Sequence, residues 1–215
     1  MQIQYIGHAC FKLIGKDNKG NAVSLVTDPF GPEYGLCLPS TEADIVTVSH
    51  QHKDHNNIGG IKGAPYVIDT PGEYEVRDVF IQGIDSFHDE KGGVERGANI
   101  IYRISIEDLV ITHLGDLGHA LDTKQSERLE GTDILFIPVG GIYTLNASKA
   151  VEVINQIEPR MVIPMHYKTT GLKIELDVLE KFIKEIGIKP TEEEKLKIAK
   201  KDLPIEDMEL VVFKS

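Results

Sequence analysis

The chain has 215 residues, of which 41% are hydrophobic and 27% charged, ordinary values for a globular protein with a sizeable core. A net charge of −11 argues against phosphate-backbone binding as the main task, because that task needs a basic patch. Two cysteines without a CxxC pair are too few for a disulfide scaffold, and no basic leader or membrane-length apolar run stands in the sequence, so a cytoplasmic protein without membrane association is expected.

The first half reads as strands. Residues 2–6 and 10–14 are apolar or alternating, and 17–21 form a turn by composition. The apolar run 22–27 ends at Asp28-Pro29, where proline cannot continue a central strand. Residues 30–41 hold two glycines and two prolines and read as a surface loop. A short buried strand at 45–48 runs into Ser49-His50-Gln51-His52-Lys53-Asp54-His55. Strands follow at 65–68 and 79–84, then a polar loop at 85–97 that contains His88, then a hairpin of 99–106 and 109–114. The second half alternates. A helix is predicted at 123–129, a buried strand at 134–139, and a helix from Asn146 to about residue 157, stopped by Pro159. A strand at 161–165 ends at His166-Tyr167, and 176–186 is amphipathic and closes at Gly187. Thr191-Glu192-Glu193-Glu194 has the capping-box pattern, so a short helix is expected there, with the lysines of 195–201 on its solvated face. A last strand is predicted at 208–213. No linker or repeat divides these pieces, so one α/β domain over 1–215 is the expectation.

Five of the eight histidines follow predicted strands: His50, His52, His55, His88 and His166. Loops at strand ends are where α/β folds display functional groups. Imidazole nitrogen and carboxylate oxygen suit zinc, iron, manganese or nickel. In an extended stretch, residues two apart face the same way, so His50 and His52 can close on one ion. Asp54 and His55, in the following turn, can face a second site.

The pattern His50-x-His52-x-Asp54-His55 after a strand, with Gly59-Gly60 beyond it, resembles the signature of the metallo-β-lactamase superfamily. Leu114-Gly115-Asp116 resembles its Gly-Asp element, and Ile163-Pro164-Met165-His166-Tyr167 its last ligand. Gly7-His8-Ala9-Cys10-Phe11 is similar to the opening of the branch that includes ascorbate-6-phosphate lactonase. The resemblance implies a four-layer αβ/βα sandwich with two divalent metal ions, zinc foremost, with manganese or iron as alternatives. It implies one metal on His50, His52 and a third histidine, the other on Asp54, His55 and His166, and Asp116 bridging them. The third histidine sits in a Gly-His-Thr segment in many relatives, and this chain has none. His88 takes the place by order, and His113, inside a predicted strand, is the runner-up. Asp28 is expected behind the ligands, steadying one of them. His8, His119 and Tyr167 are candidates for the pocket, and the Gly140-Gly141 turn for either an anion contact or a simple tight turn.

The implied activity is hydrolysis of an ester, lactone or phosphodiester in a small molecule. Its nucleophile would be a water deprotonated between the metals, with Asp54 as the proton acceptor. His52 is the residue of hydrolases, where redox di-iron members carry a carboxylate. A non-catalytic metabolite- or metal-binding protein on the same fold is the alternative. A nuclease is disfavoured by charge and length, and the oligomeric state is left open.

Overall fold

The computed structural model describes residues 1–214. In chain order its strands are β1 (Gln2–Gly7), β2 (Cys10–Lys16), β3 (Ala22–Thr27), β4 (Thr41–Glu42), β5 (Ile45–Thr47), β6 (Ile61–Lys62), β7 (Tyr66–Ile68), β8 (Gly72–Val76), β9 (Val79–Phe87), β10 (Ala98–Ile106) and β11 (Leu109–His113). Then come α1 (Thr123–Leu129), β12 (Ile134–Pro138), α2 (Ala147–Ile157), β13 (Met161–Met165), α3 (Leu179–Ile186), β14 (Thr191–Glu193), β15 (Leu196–Lys197) and β16 (Glu209–Phe213).

Two sheets carry the structure. A six-stranded sheet has the order β15-β1-β2-β3-β5-β7, and an eight-stranded sheet the order β14-β16-β13-β12-β11-β10-β9-β8. One core lies between them: Ile3, Phe11 and Leu13 of the first sheet meet Tyr102, Phe136 and Ile163 of the second. Phe11 stacks on Phe136 with ring centroids 4.1 Å apart. A second core joins the eight-stranded sheet to the helices, through Leu135, Val153, Ile154 and Phe182. On the outer face of the six-stranded sheet Phe30, Val46, Val48 and Ile61 form a third, smaller core. Loops and two 3-10 turns, Pro32–Tyr34 and Ile58–Gly60, flank it, so this outer layer is thin.

Strand direction decides where functional groups can gather. β3, β5 and β7 run parallel, as do β11, β12, β13 and β16. Such strands alternate with crossovers, and the loops at their carboxyl ends collect on one edge of the sandwich. The helix caps follow local chemistry. Asp122 and Gln125 form a reciprocal capping box at α1, and the Asn146 side chain accepts the Lys149 N–H at α2.

The second half departs from expectation at its end. Residues 191–197 are not helical: β14 pairs with β16 and β15 with β1, extending both sheets. Backbone pairing along two sheet edges outweighs a local capping pattern, which contributes only about 1 kcal/mol. The lysine run accordingly has no single solvated face, and Lys200 reaches the buried carboxylate of Asp133 at 2.6 Å. The α3 helix begins at Leu179, later than expected: Asp177 pairs its N–H with the Gly140 carbonyl and its carbonyl with the Lys168 N–H instead of joining the helix. β8, directly after the turn at Pro71, is an additional edge strand beside β9.

Candidate metal centre

The functional groups come from five loops. His8 lies in the β1–β2 turn, the histidine cluster follows β5, His88 follows β9, Asp116 follows β11 and His166 follows β13. Two of these positions and the supporting Asp28 are held in the left-handed backbone region that non-glycine residues rarely adopt: His8 at φ 56°, Asp28 at φ 39° and His166 at φ 53°. Each such residue carries a conformational cost that only the surrounding structure can sustain, and such residues collect at functional sites.

Asp116 is the hub. Its Oδ2 lies 3.1 Å from His88 Nε2, 3.2 Å from His166 Nε2, 3.3 Å from His55 Nε2 and 3.9 Å from His50 Nε2. Two donor sets flank it. His50, His52 and His88 form one; Asp54, His55 and His166, joined by His8, form the other, with donor atoms in each set within 4.8 Å of one another.

Hydrogen bonds from behind fix which nitrogen faces the centre. The fully buried Asp28 carboxylate accepts the Ser49 N–H at 2.7 Å, the Ser49 hydroxyl at 2.6 Å and His55 Nδ1–H at 2.9 Å. With its proton on Asp28, Ser49 Oγ accepts Nδ1–H of His50 at 3.0 Å. One carboxylate therefore assigns the tautomer of two histidines, leaving both Nε2 atoms to face Asp116. Asn99 does the same for the backbone: its Oδ1 accepts the Asp116 N–H while its Nδ2 donates to Ser86 and to the Leu114 carbonyl. On the far side, neutral His8 donates Nε2–H to Asp54 Oδ2 at 3.2 Å.

The electrostatics call for a cation. Burial works against ionised Asp116, but the charges of His166 and His55 overcome it and hold the carboxyl well below the ordinary range. Burial also works against charged His55, and Asp116 and Asp28 on either side push its pKa well above 6.5. His50 goes the other way, down to about 3, through burial and the proximity of His55. Burial and the neighbouring His166 likewise hold His8 near 4, although Asp54 opposes them. His50 Nε2 and His52 Nδ1 face each other at 2.9 Å, and His55 Nε2 and Asp116 Oδ1 are buried with no hydrogen-bond partner among the described residues. Donor atoms converging in this way suit ions bound between them, and the mixed imidazole and carboxylate donors fit zinc, manganese or iron.

Other singled-out residues lie elsewhere. His113 is fully buried and uses both ring nitrogens on backbone, Nε2 with the Ala9 carbonyl and Nδ1 accepting Gly115 N–H, so it is a core histidine. His119 accepts the Phe87 N–H and bonds to the Ala120 carbonyl; it braces the strand end before His88 instead of entering the pocket. Tyr167 packs in the helix-side core and lines a different cavity with Lys168 and Val178, so sequence adjacency to His166 did not place it in the pocket. The Gly141 N–H bonds to the Leu145 carbonyl and is not free for an anion. Gly140 is glycine for space: a Cβ there would lie 2.1 Å from the His166 carbonyl oxygen.

The centre opens into a cleft of about 710 Å³. Besides the cluster its walls are Tyr34, Arg96, Tyr143, Lys173, Ile174 and Glu175, none of which has a periodic or motif signal in the sequence. Asp89 is another such residue. Its buried carboxylate accepts backbone N–H groups from Lys91, Gly93, Glu95 and Arg96, which folds the loop between His88 and Arg96.

Residues 2–166 match the model of the beta-lactamase superfamily domain, a span that runs from β1 through His166. The chain belongs to the beta-lactamase superfamily. A candidate zinc-dependent hydrolase of the metallo-beta-lactamase superfamily from Thermotoga maritima is 37% identical, with a TM-score of 0.79 over 99% of this chain and 97% of that one. Metal-dependent hydrolases from Staphylothermus marinus and Methanoculleus marisnigri are 26% and 29% identical, covering 84% and 79% of this chain and 90% and 82% of theirs. The metallo-β-lactamase fold expected from the sequence is thus the fold of the protein, and its superfamily relatives include metal-dependent hydrolases. No helix of the described residues is long and apolar enough to cross a membrane.

Proposed function

We propose that the protein is a metal-dependent hydrolase of a small molecule, holding two divalent ions at the Asp116 hub. The observation that carries this reading is the convergence of four histidine Nε2 atoms within 3.9 Å of one buried carboxylate oxygen. One ion would be held by His50, His52 and His88, the other by Asp54, His55 and His166, with Asp116 shared between them. When bound, such ions lower the pKa of a water toward neutrality and polarise the oxygen of an ester, lactone or phosphodiester. Asp54, which lines the cleft, would take the proton of the attacking water; His8 steadies it through Oδ2. His8 and Asp28 are support, not ligands. The 215 residues form one domain in this reading, working on a substrate free in the cytoplasm.

Metal analysis tests it. Protein loaded with zinc or manganese and then desalted should retain about two equivalents per chain, and a His50→Ala/Asp54→Ala variant should retain none. The loaded protein should hydrolyse at least one member of a lactone, ester, thioester and phosphodiester panel. Retention of no metal, or two equivalents without any hydrolysis, would refute the proposal.

A further inference from the structure

In an acidic protein, the cleft wall beyond the metal ligands is cationic and braced. Arg96 and Lys173 both line it. Each stands on a loop tied together by a charged side chain inside that loop. Asp89 gathers four backbone N–H groups of the loop that ends at Arg96. Lys168 Nζ donates to the carbonyls of Leu172 and Ile174, on either side of Lys173. The Lys173 N–H itself donates to the Tyr34 carbonyl, which ties the second loop to the opposite wall.

The guanidinium of Arg96 is positioned but weakly neutralised. It lies over the Tyr143 ring, 5.8 Å from the centroid, and its nearest carboxylate is that of Glu95 at 3.7 Å. Glu95 has a closer partner in Lys91. Lys173 has no carboxylate within 4 Å among the described residues, although Glu175 stands in the same wall. Arg96, part-buried and held by the Ile142 carbonyl and the Tyr143 ring, differs from solvated surface charge, where side chains sample many rotamers and contribute little; Lys173 is exposed at the tip of its braced loop. Arginine stacked on an aromatic ring offers a planar fork that fits carboxylate or phosphate oxygens in pairs.

We infer that the cleft takes a substrate carrying a carboxylate or phosphate group of its own, apart from the bond that is cleaved, and that Arg96 and Lys173 hold that group. The inference rests on the hydrolase reading and adds to it the class of substrate. The metal centre engages one end of the substrate; Tyr34 and Tyr143 flank its body; the second anionic group marks the other end. Arg96 and Lys173 would then set specificity rather than perform chemistry.

Calorimetric titration with non-hydrolysable probes tests this. Succinate, glutarate and adipate are compared with butyrate, valerate and hexanoate, so that each pair has one chain length and differs by one carboxylate. The wild type should bind at least one diacid tenfold or more tightly than its monoacid. Arg96→Met/Lys173→Met should bring every ratio below threefold, while Lys19→Met, in the distant 17–21 turn, should keep the wild-type ratio. Circular dichroism checks that the variants are folded. 3-Phosphonopropionate run against glutarate tells a phosphate seat from a carboxylate seat. Ratios below threefold in the wild type, or ratios that survive in the double variant, overturn the inference. Metal content is measured on the same samples. Protein that retains no metal after loading yet still prefers diacids through Arg96 and Lys173 would sink the hydrolase reading and keep only the anion seat; metal-loaded protein without the preference would keep the hydrolase reading and sink the seat.

Discussion

Asp28→Asn is the sharpest test of how the centre is built. The change keeps the shape of the side chain and replaces one acceptor oxygen with an NH2 donor. Asp28 now accepts from the Ser49 N–H, the Ser49 hydroxyl and His55 Nδ1–H, all within 2.9 Å. An asparagine can keep the Ser49 N–H on its Oδ1, but its NH2 then points at His55 Nδ1 and the Ser49 hydroxyl. His55 must move its proton to Nε2, the atom 3.3 Å from Asp116 Oδ2, and so loses the lone pair a metal needs. The Ser49 hydroxyl turns as well, and His50 loses the acceptor that keeps its proton on Nδ1. Loss of one such partner behind a ligand lowers metal affinity about 10–100-fold, or about 1.4–2.7 kcal/mol. Because two ligands depend on Asp28, the upper part of that range is expected. Competition against a chromophoric chelator measures it, and melting of the metal-free forms separates it from folding. Asp28→Asn protein that is folded and binds metal within threefold of the wild type would refute the tautomer argument.

Further outcomes follow from the same geometry. His88→Ala should lower metal content by about one equivalent and leave the melting temperature of the metal-free protein nearly unchanged. His113→Ala should leave metal content alone but destabilise by about 1–3 kcal/mol, because it strands the Ala9 carbonyl and Gly115 N–H in the core; elemental analysis and urea melts distinguish the two. Burial raises the pKa of Asp89, but its four backbone N–H bonds overcome that and bring it down to about 2, so its stabilisation is present above the unfolded value near 3.8 and fades as pH falls through about 2. Asp89→Asn should therefore melt lower than wild type at pH 6, with the gap closing below pH 4 in parallel melts. His55 is raised, so its contribution to the metal-free protein is full below pH 6.5 and declines as pH rises through its higher folded value. Metal must displace that proton, so affinity should climb with pH above 6.5, and calorimetry in buffers of different ionisation enthalpy should show proton release.

What could be read from the sequence was local. Residues 50–55 carry their meaning in six positions because closeness in the chain alone keeps the three histidines together, although they form bends and turns after β5 and not the extended stretch expected. Strands with buried apolar runs, such as Ile134–Pro138 and Met161–Met165, were legible from local sequence as well. The edges were not. Thr191–Glu193 and Leu196–Lys197 become strands only because β16 and β1 offer unpaired edges, a fact about partners distant in sequence. His88 could be proposed by order, but its approach to Asp116 depends on Asp89 folding the loop behind it. Arg96 and Lys173 had no signal, since a cation in an irregular loop looks the same whether it faces a cleft or water. Tyr167 misled because adjacency to His166 says nothing about direction: successive side chains at a strand end point to opposite faces.

The spread of the centre over both sheets bears on how the protein comes to be made. His8 and Asp28 belong to the first sheet, Asp116 and His166 to the second, and the donors meet only where the two are docked. The set of Asp54, His55 and His166 stays incomplete until residue 166 has been synthesised, and the two sets meet at Asp116 only once both sheets have closed. Metal would therefore join after the rate-limiting step of folding, in which such distant pairings form slowly. It should leave the folding rate unchanged and slow unfolding alone, so that the loaded protein gains lifetime without gaining speed of assembly.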